Sequence, residues 1–213
     1  QPRGAEKSRR SYPFVDLVFG THVIHRLPEL LYRTLCGRNR VFELPDEAGS
    51  KVNASVEEVF RLWQEFASTK GTQLVFCDLS TPTTDGSFSV YDDSKKKLMD
   101  AGIPEEEIAF IHTADSEAKK KELFSKVRSG QVRVLLGSTA KMGAGTNVQD
   151  KLIALHDLDC PWRPSDLQQR LGRIVRQGNE NEEVEIYRYV TEGTFDAYLY
   201  QLVENKQKFI AQI

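Results

Sequence analysis

From about Asn53 onward the apolar residues fall into a regular alternation of two periods. Ser55 with Glu58 three residues later has the form of a capping box, and Val56, Val59, Phe60, Trp63 and Phe66 then share one helical face until Gly71. Leu74 to Asp78 reads as a short buried strand, Thr81 to Ser89 as a polar loop, and Val90 to Met99 as a helix with Lys95, Lys96 and Lys97 on its wet side. Ile108 to His112 is the next strand, and Ser116 opens a helix running to Val127. Val132 to Leu136 and Ile153 to His156 are strands, Ser165 to Val175 is a helix, and Val184 to Val190 is a strand with strict alternation. Thr194 then caps a long amphipathic helix through Phe195, Leu199, Leu202 and Phe209. Strands alternating with helices predict an α/β fold, a parallel sheet with helices on both faces. In such a sheet ligands gather beyond the carboxyl ends of the strands, so the loops after Cys77, His112, Thr139 and Asp159 form the expected functional edge.

Residues 1–50 do not share this rhythm. They are rich in arginine, their periodicity is poor, Leu27 to Leu35 is a candidate short helix, and Pro45 to Ser50 reads as a loop. The expected organisation is therefore an N-terminal extension over 1–50 and a single α/β lobe over 51–213.

Composition narrows the function. A net charge of −2 means that any nucleic-acid contact must come from a local patch. Cys36, Cys77 and Cys160 are widely spaced and form no C-x-x-C pair, which argues against a disulfide framework and points to a reducing cytoplasm, with Cys77 and Cys160 packed as small hydrophobes. No run approaches the ~18 apolar residues of a membrane span. The first residue is Gln1 rather than Met, and the chain is expected to be a fragment of a larger protein.

Chemistry concentrates in two places. Gln169 to Gly178 reads Q-x-x-G-R-x-x-R-x-G, with Arg173 and Arg176 three apart. Guanidinium is permanently charged and its planar fork matches phosphate oxygens. About twenty-five residues earlier, Gly143-Ala144-Gly145-Thr146-Asn147 is a glycine-rich turn after an apolar strand, where a backbone can approach a ligand closely.

In this order the two stretches resemble motifs V and VI of superfamily-two helicases and translocases, in the second of that family's two RecA-like lobes. Gln73 to Pro82 resembles motif IV. Asp159-Cys160-Pro161-Trp162-Arg163-Pro164 resembles the D-x-x-W-x-P segment of Swi/Snf-like members, and Val184 to Phe209 the strand and helix that close the lobe. The wording of Gly71 to Pro82 and Leu135 to Arg176 is closest to helicase–methyltransferase proteins of bacterial conjugative elements and phages. Ala114 and Asn179 depart from the usual glycine and glutamine. None of the 14 glycines is followed by lysine, so the chain has no G-x-x-x-x-G-K-[ST] phosphate loop.

The resemblance implies a RecA-like fold and a division of labour. ATP and Mg²⁺ would be held mainly by a first lobe absent from this chain. Arg176 and Arg173 would be catalytic, with Arg176 the finger, while Gln169, Gly143 and Gly145 would line the nucleotide. Ser80, Thr81, Ser138, Thr139, Lys141, Thr146 and Asn147 would touch the nucleic-acid backbone, with double-stranded DNA the expected partner. Two functions stay open: the C-terminal motor lobe of an ATP-dependent DNA helicase or translocase, or a non-catalytic lobe that binds nucleic acid or a partner. His156, Asp157, Asp159 and Cys160 have metal-ligand chemistry, but strand alternation sends neighbours to opposite faces, so no metal is expected. Trp162 is expected to wedge between strand and helix rather than stack on a base.

Overall fold

The computed structural model describes residues 16–19, 27–37, 41–43, 47–78, 89–143, 147–191, 195–210 and 212. Strands β3 (Thr72–Phe76), β4 (Ile108–Phe110), β5 (Val134–Gly137), β6 (Leu152–Asp157) and β7 (Glu185–Arg188) form one sheet in the order β4-β5-β3-β6-β7. Every neighbouring pair is parallel. Upstream, β1 (Leu17–Phe19) and β2 (Val41–Glu43) make a separate parallel pair, with helix α1 (Leu27–Gly37) against both.

The α/β expectation holds because strand alternation feeds two apolar layers. Val75, Val134 and Leu136 point to one side of the sheet. There they meet Val52 and Val59 of α2 (Glu47–Glu65) and Tyr91 and Leu98 of α3 (Val90–Ala101). Leu74, Phe76, Leu135 and Leu155 point to the other side. That layer includes Phe124 and Val127 of α4 (Glu117–Arg128), Met142 of α5 (Thr139–Gly143) and Ile174 of α6 (Pro164–Ile174). A last helix, α7 (Phe195–Ile210), packs Leu199, Tyr200 and Val203 onto Cys160 and Leu167. Both faces are covered, as a parallel sheet requires.

Several element boundaries move. Helix α2 starts at Glu47, so part of the Pro45–Ser50 segment is helical, residue 50 lies inside a helix, and Ser55 is an interior residue. The Ser55 hydroxyl donates to the Val52 carbonyl at 2.9 Å, a back-bond that any mid-helix serine can make, which is why a capping-box pattern misled. Lys51 of the same helix pairs with Asp196 of α7. The carboxyl end of α2 is held by buried Arg133, which donates to the carbonyls of Trp63 at 2.7 Å and Gly71 at 3.1 Å. After β4 the chain tightens into a 3-10 turn over Ile111–Thr113 instead of continuing as strand to His112. Ser116 caps α4 as expected, accepting from the Lys119 amide at 3.3 Å. The Thr81–Ser89 loop, apart from Ser89, and the Thr194 cap lie outside the described residues.

Candidate nucleotide and nucleic-acid interface

The carboxyl edge of the sheet is organised by one side chain that the motif pattern passes over. Arg170 is fully buried on α6, between Leu167 and Ile174 on the helix's inner face. All five guanidinium donors are used. Nε donates to Thr139 Oγ1 at 2.8 Å, Nη1 to Asp157 Oδ1 at 2.7 Å and to the Asp159 carbonyl at 3.0 Å, and Nη2 to Asp78 Oδ2 at 2.7 Å and Asp159 Oδ1 at 3.0 Å. The guanidinium also stacks over the Phe76 ring, 5.0 Å from its centroid. Burial works against its charge, but Asp157 and Asp159 outweigh that and hold it protonated. Burial likewise pushes the Asp157 carboxyl upward, opposed by Arg170. The complete set of short hydrogen bonds supports the ionised pair.

Around this arginine the other loops are fastened. The Asp78 carboxylate accepts from the Thr139 amide at 2.6 Å and the Thr139 hydroxyl at 2.7 Å, and the Asp78 amide donates to Asp159 Oδ2 at 2.5 Å. Tyr200 of α7 donates to the Asp159 carbonyl at 3.1 Å. Gly137, just before, lies where a Cβ would come within 2.6 Å of Ile111 and 2.7 Å of Met142, so only glycine lets β5 turn into α5 there.

The candidate track residues separate on this frame. Thr139 is buried, its hydroxyl donating to Asp78 and accepting from Arg170. Both the amide and the hydroxyl of Thr139 are thus engaged within the lobe. Ser138 is also buried and accepts from the Lys141 amide at 3.3 Å, a cap for α5. Lys141 and Asn147 are exposed, and the Asn147 carbonyl is held by Arg128 at 2.7 Å. Gly143 ends α5. Ser80, Thr81, Gly145 and Thr146 lie outside the described residues.

The opposite face of α6 looks outward. Gln169 and Gly172 are exposed, and a Cβ at Gly172 would meet nothing within 4 Å. Arg173 is half-buried, and burial together with the charge of Arg176 lowers its affinity for a proton. The helix ends at Ile174, so Arg176 follows it on a bend, exposed, beside an open pocket of about 450 Å³ lined also by Gln177, Asn179 and Asn181. The structure thus sets Gln169 and Arg173 on the outward face of α6 with Arg176 just past its end, Lys141 on α5, and Asn147 beside Arg128 at the end of α4.

Trp162 departs from expectation. It is 67 % exposed on the loop between β6 and α6, not wedged inside, because Pro161 and Cys160 fill the buried positions there. The carboxylates considered as metal ligands are spent on Arg170, and His156 faces the other side of the sheet. Its Nδ1 lies 2.8 Å from the Tyr189 hydroxyl and its Nε2 3.0 Å from Gln73 Oε1. Cys160 packs beside Leu167 and Tyr200, and burial pushes its thiol up to about 11. Among the described residues no helix is long and apolar enough to cross a membrane.

Comparison with known proteins gives this edge a context. A family described as the helicase conserved C-terminal domain matches residues 54–178, more than half of the chain. An uncharacterized ATP-dependent helicase of Bacillus subtilis, YqhH, is 35% identical over 89 residues, 41% of this chain and 15% of the relative. A tRNA-2-methylthio-N(6)-dimethylallyladenosine synthase of Pelotomaculum thermopropionicum is 35% identical over 63 residues, 28% of this chain and 14% of that protein. The chain therefore spans about a seventh of the length of these relatives. Among solved structures, the C-terminal part of the Fun30 ATPase domain is similar with a TM-score of 0.54 and 19% identity, covering 84% of this chain and 53% of that one. The DUF1998 helicase MrfA bound to DNA has a TM-score of 0.50 and 18% identity, covering 73% and 20%. At these identities the structures speak for a shared fold.

Proposed function

The chain belongs to the family of helicase conserved C-terminal domains, and from that premise we propose that it is the C-terminal motor lobe of an ATP-dependent DNA helicase or translocase of the Swi/Snf-like branch. The observation that carries this reading is the two-sided helix α6. Its inner face is locked by Arg170, and its outer face presents Gln169, the open surface at Gly172, and Arg173, with Arg176 just beyond. Two neighbouring guanidinium groups on an open face suit an anionic ligand, so the residues present fit a nucleotide triphosphate approached from outside the lobe.

In the proposed arrangement a separate lobe holds ATP and Mg²⁺, and ATP supplies the free energy of phosphoanhydride hydrolysis. Arg176 and Arg173 stabilise phosphate charge, and Gln169, Gly143 and Gly145 border the nucleotide. Lys141, Asn147, Ser80, Thr81 and Thr146 hold the DNA backbone, and Ser138 caps the helix that carries Lys141. Exposed Trp162 adds an aromatic contact at the same edge. The residues before α2 form an N-terminal extension, and the likeness to helicase–methyltransferase proteins of mobile elements suggests the wider setting. The pairing of Arg173 with Arg176 on the outer side of α6, in the order of the family's motif VI, favours the motor over the purely binding alternative.

ATP turnover by the 213-residue chain and by the complete protein tests the proposal. The chain alone is expected to show none. In the complete protein, Arg176→Ala should cut turnover at least ~10²-fold with ATP affinity within several-fold, because a finger acts in the transition state. Wild-type turnover in that variant would reduce Arg176 to a surface residue.

A further inference from the structure

We propose that Asp78 is a positioning residue, whose carboxylate joins the nucleic-acid edge to the arginine-bearing helix so that the two shift as one body. The inference rests on the motor-lobe reading. Asp78 sits just past β3, at the root of the segment that carries Ser80 and Thr81. One of its oxygens accepts from the Thr139 amide at 2.6 Å, and the other accepts from both the Thr139 hydroxyl and Arg170 Nη2 at 2.7 Å. Thr139 opens α5, which carries Lys141. Arg170 stands on α6, three residues before Arg173. A single carboxylate thus bridges elements 61 and 92 residues downstream of it.

Charge compensation does not account for Asp78. Asp157 and Asp159 have side chains 1% and 5% exposed, and together they already outweigh the single charge of Arg170. Asp78 adds a third carboxylate to a site that is negative without it, and its side chain is 34% exposed. What Asp78 alone supplies is the geometric bridge. Arg170 reaches β6 through Asp157 and reaches α5 through the Thr139 hydroxyl. Only the Asp78 carboxylate also fixes the α5 backbone, through the Thr139 amide, to the end of β3. A rigid link of this kind carries a shift at one site to another when both sites bias the same packed element.

Asp78→Asn tests the assignment, since it keeps the size and one acceptor oxygen while removing the charge and the second acceptor. In the 213-residue chain, hydrogen exchange at the Thr139, Lys141 and Met142 amides is expected to rise ~10-fold as α5 opens locally, while the melting temperature stays within a few degrees. In the complete protein, the rise in ATP turnover on adding a blunt DNA duplex should fall ~10-fold, with turnover in the absence of DNA and the KM for ATP unchanged. Arg170→Lys retains the charge but loses the fork, and it should weaken the DNA-dependent rise in the same way. Undiminished stimulation by DNA in Asp78→Asn would overturn the assignment. So would an equal fall with and without DNA accompanied by a lowered melting temperature, the mark of a merely structural residue. A wild-type protein whose ATP turnover ignores DNA would sink the motor-lobe reading instead, and the exchange of the α5 amides would then decide alone whether Asp78 holds α5.

Discussion

His156 and Asp157 are neighbours on β6, yet each anchors a polar network on its own side of the sheet. On the α2 side, Gln73 Nε2 donates to the Val59 carbonyl at 2.9 Å, which leaves Gln73 Oε1 as an acceptor facing His156 Nε2. The imidazole must therefore donate through Nε2 and accept the Tyr189 hydroxyl proton on Nδ1, a neutral ring stacked 5.0 Å from Tyr187. On the α6 side, Asp157 faces the guanidinium of Arg170 and the network is ionic. The neutral network ties β3, β6 and α2 into the core. The ionic network lies at the carboxyl edge, where loops of three strands and two helices must be held against one another. Charge is used where several separate chain segments need a common anchor, and neutral hydrogen bonding where strands already fix the distances.

The largest expected effect comes from removing that anchor. Arg170→Ala leaves three carboxylates facing one another without a cation and should destabilise the lobe by ~3–5 kcal/mol, read from the urea midpoint. A loss near that of a surface substitution would mean that the carboxylates find another partner and that the ionic network is not the organiser described here.

The neutral network should reveal itself through pH. Burial, with Arg61 adding to it, holds the His156 ring down at about 3 in the folded lobe, below its ordinary value of 6.5. A base depressed on folding contributes stability that is complete above its unfolded value and is lost as pH falls. The loss should run between pH 6.5 and about 3, approaching ~1.4 kcal/mol per pH unit for one proton. Urea melts across this range should show a slope that His156→Gln flattens, and equal slopes in the two proteins would place the acid sensitivity elsewhere.

The same helix that buries Arg170 should be tolerant on its outer face. Gly172→Ala adds a methyl group into open space and removes a helix-interior glycine, so the isolated lobe should gain roughly 0.5–1 kcal/mol. A destabilised variant would show that the space is not open in solution. Smallest of all, Arg176→Ala should change the stability of the lobe by less than ~0.5 kcal/mol, because the side chain is exposed and lies beyond the end of α6. A loss of several kcal/mol would recast Arg176 as part of the fold.

The parallel sheet was readable because its strands are short apolar runs separated by helical periodicity, and both apolar layers could be anticipated from Leu74 to Phe76 and Val134 to Leu136. The role of Arg170 was less visible. Its signal exists: it falls three residues after Leu167 and four before Ile174, on the apolar face, and Asp78, Asp157 and Asp159 each stand just past or at a strand end. Arg173 and Arg176 carry the motif spacing and Arg170 does not, and nothing local says that three aspartates scattered over 82 residues converge. The start of α2 was hidden by Pro45 and by a serine whose pattern fits a cap and an interior back-bond equally well. Trp162 lies at the surface although its size favours burial, because Cys160 and Pro161 before it take the buried positions at the end of β6.

The strand order has a consequence in time. The strand synthesised first in the five-stranded sheet, β3, occupies its centre, and its partners β5 and β6 are made only after some sixty and eighty further residues. Asp78 waits longer still, 92 residues, for Arg170. A growing chain therefore carries an apolar strand with both edges unpaired, and contacts of such separation form slowly. The carboxyl edge is not secured until α6 has been made, so truncation upstream of Arg170 should yield not a smaller lobe but an aggregation-prone chain.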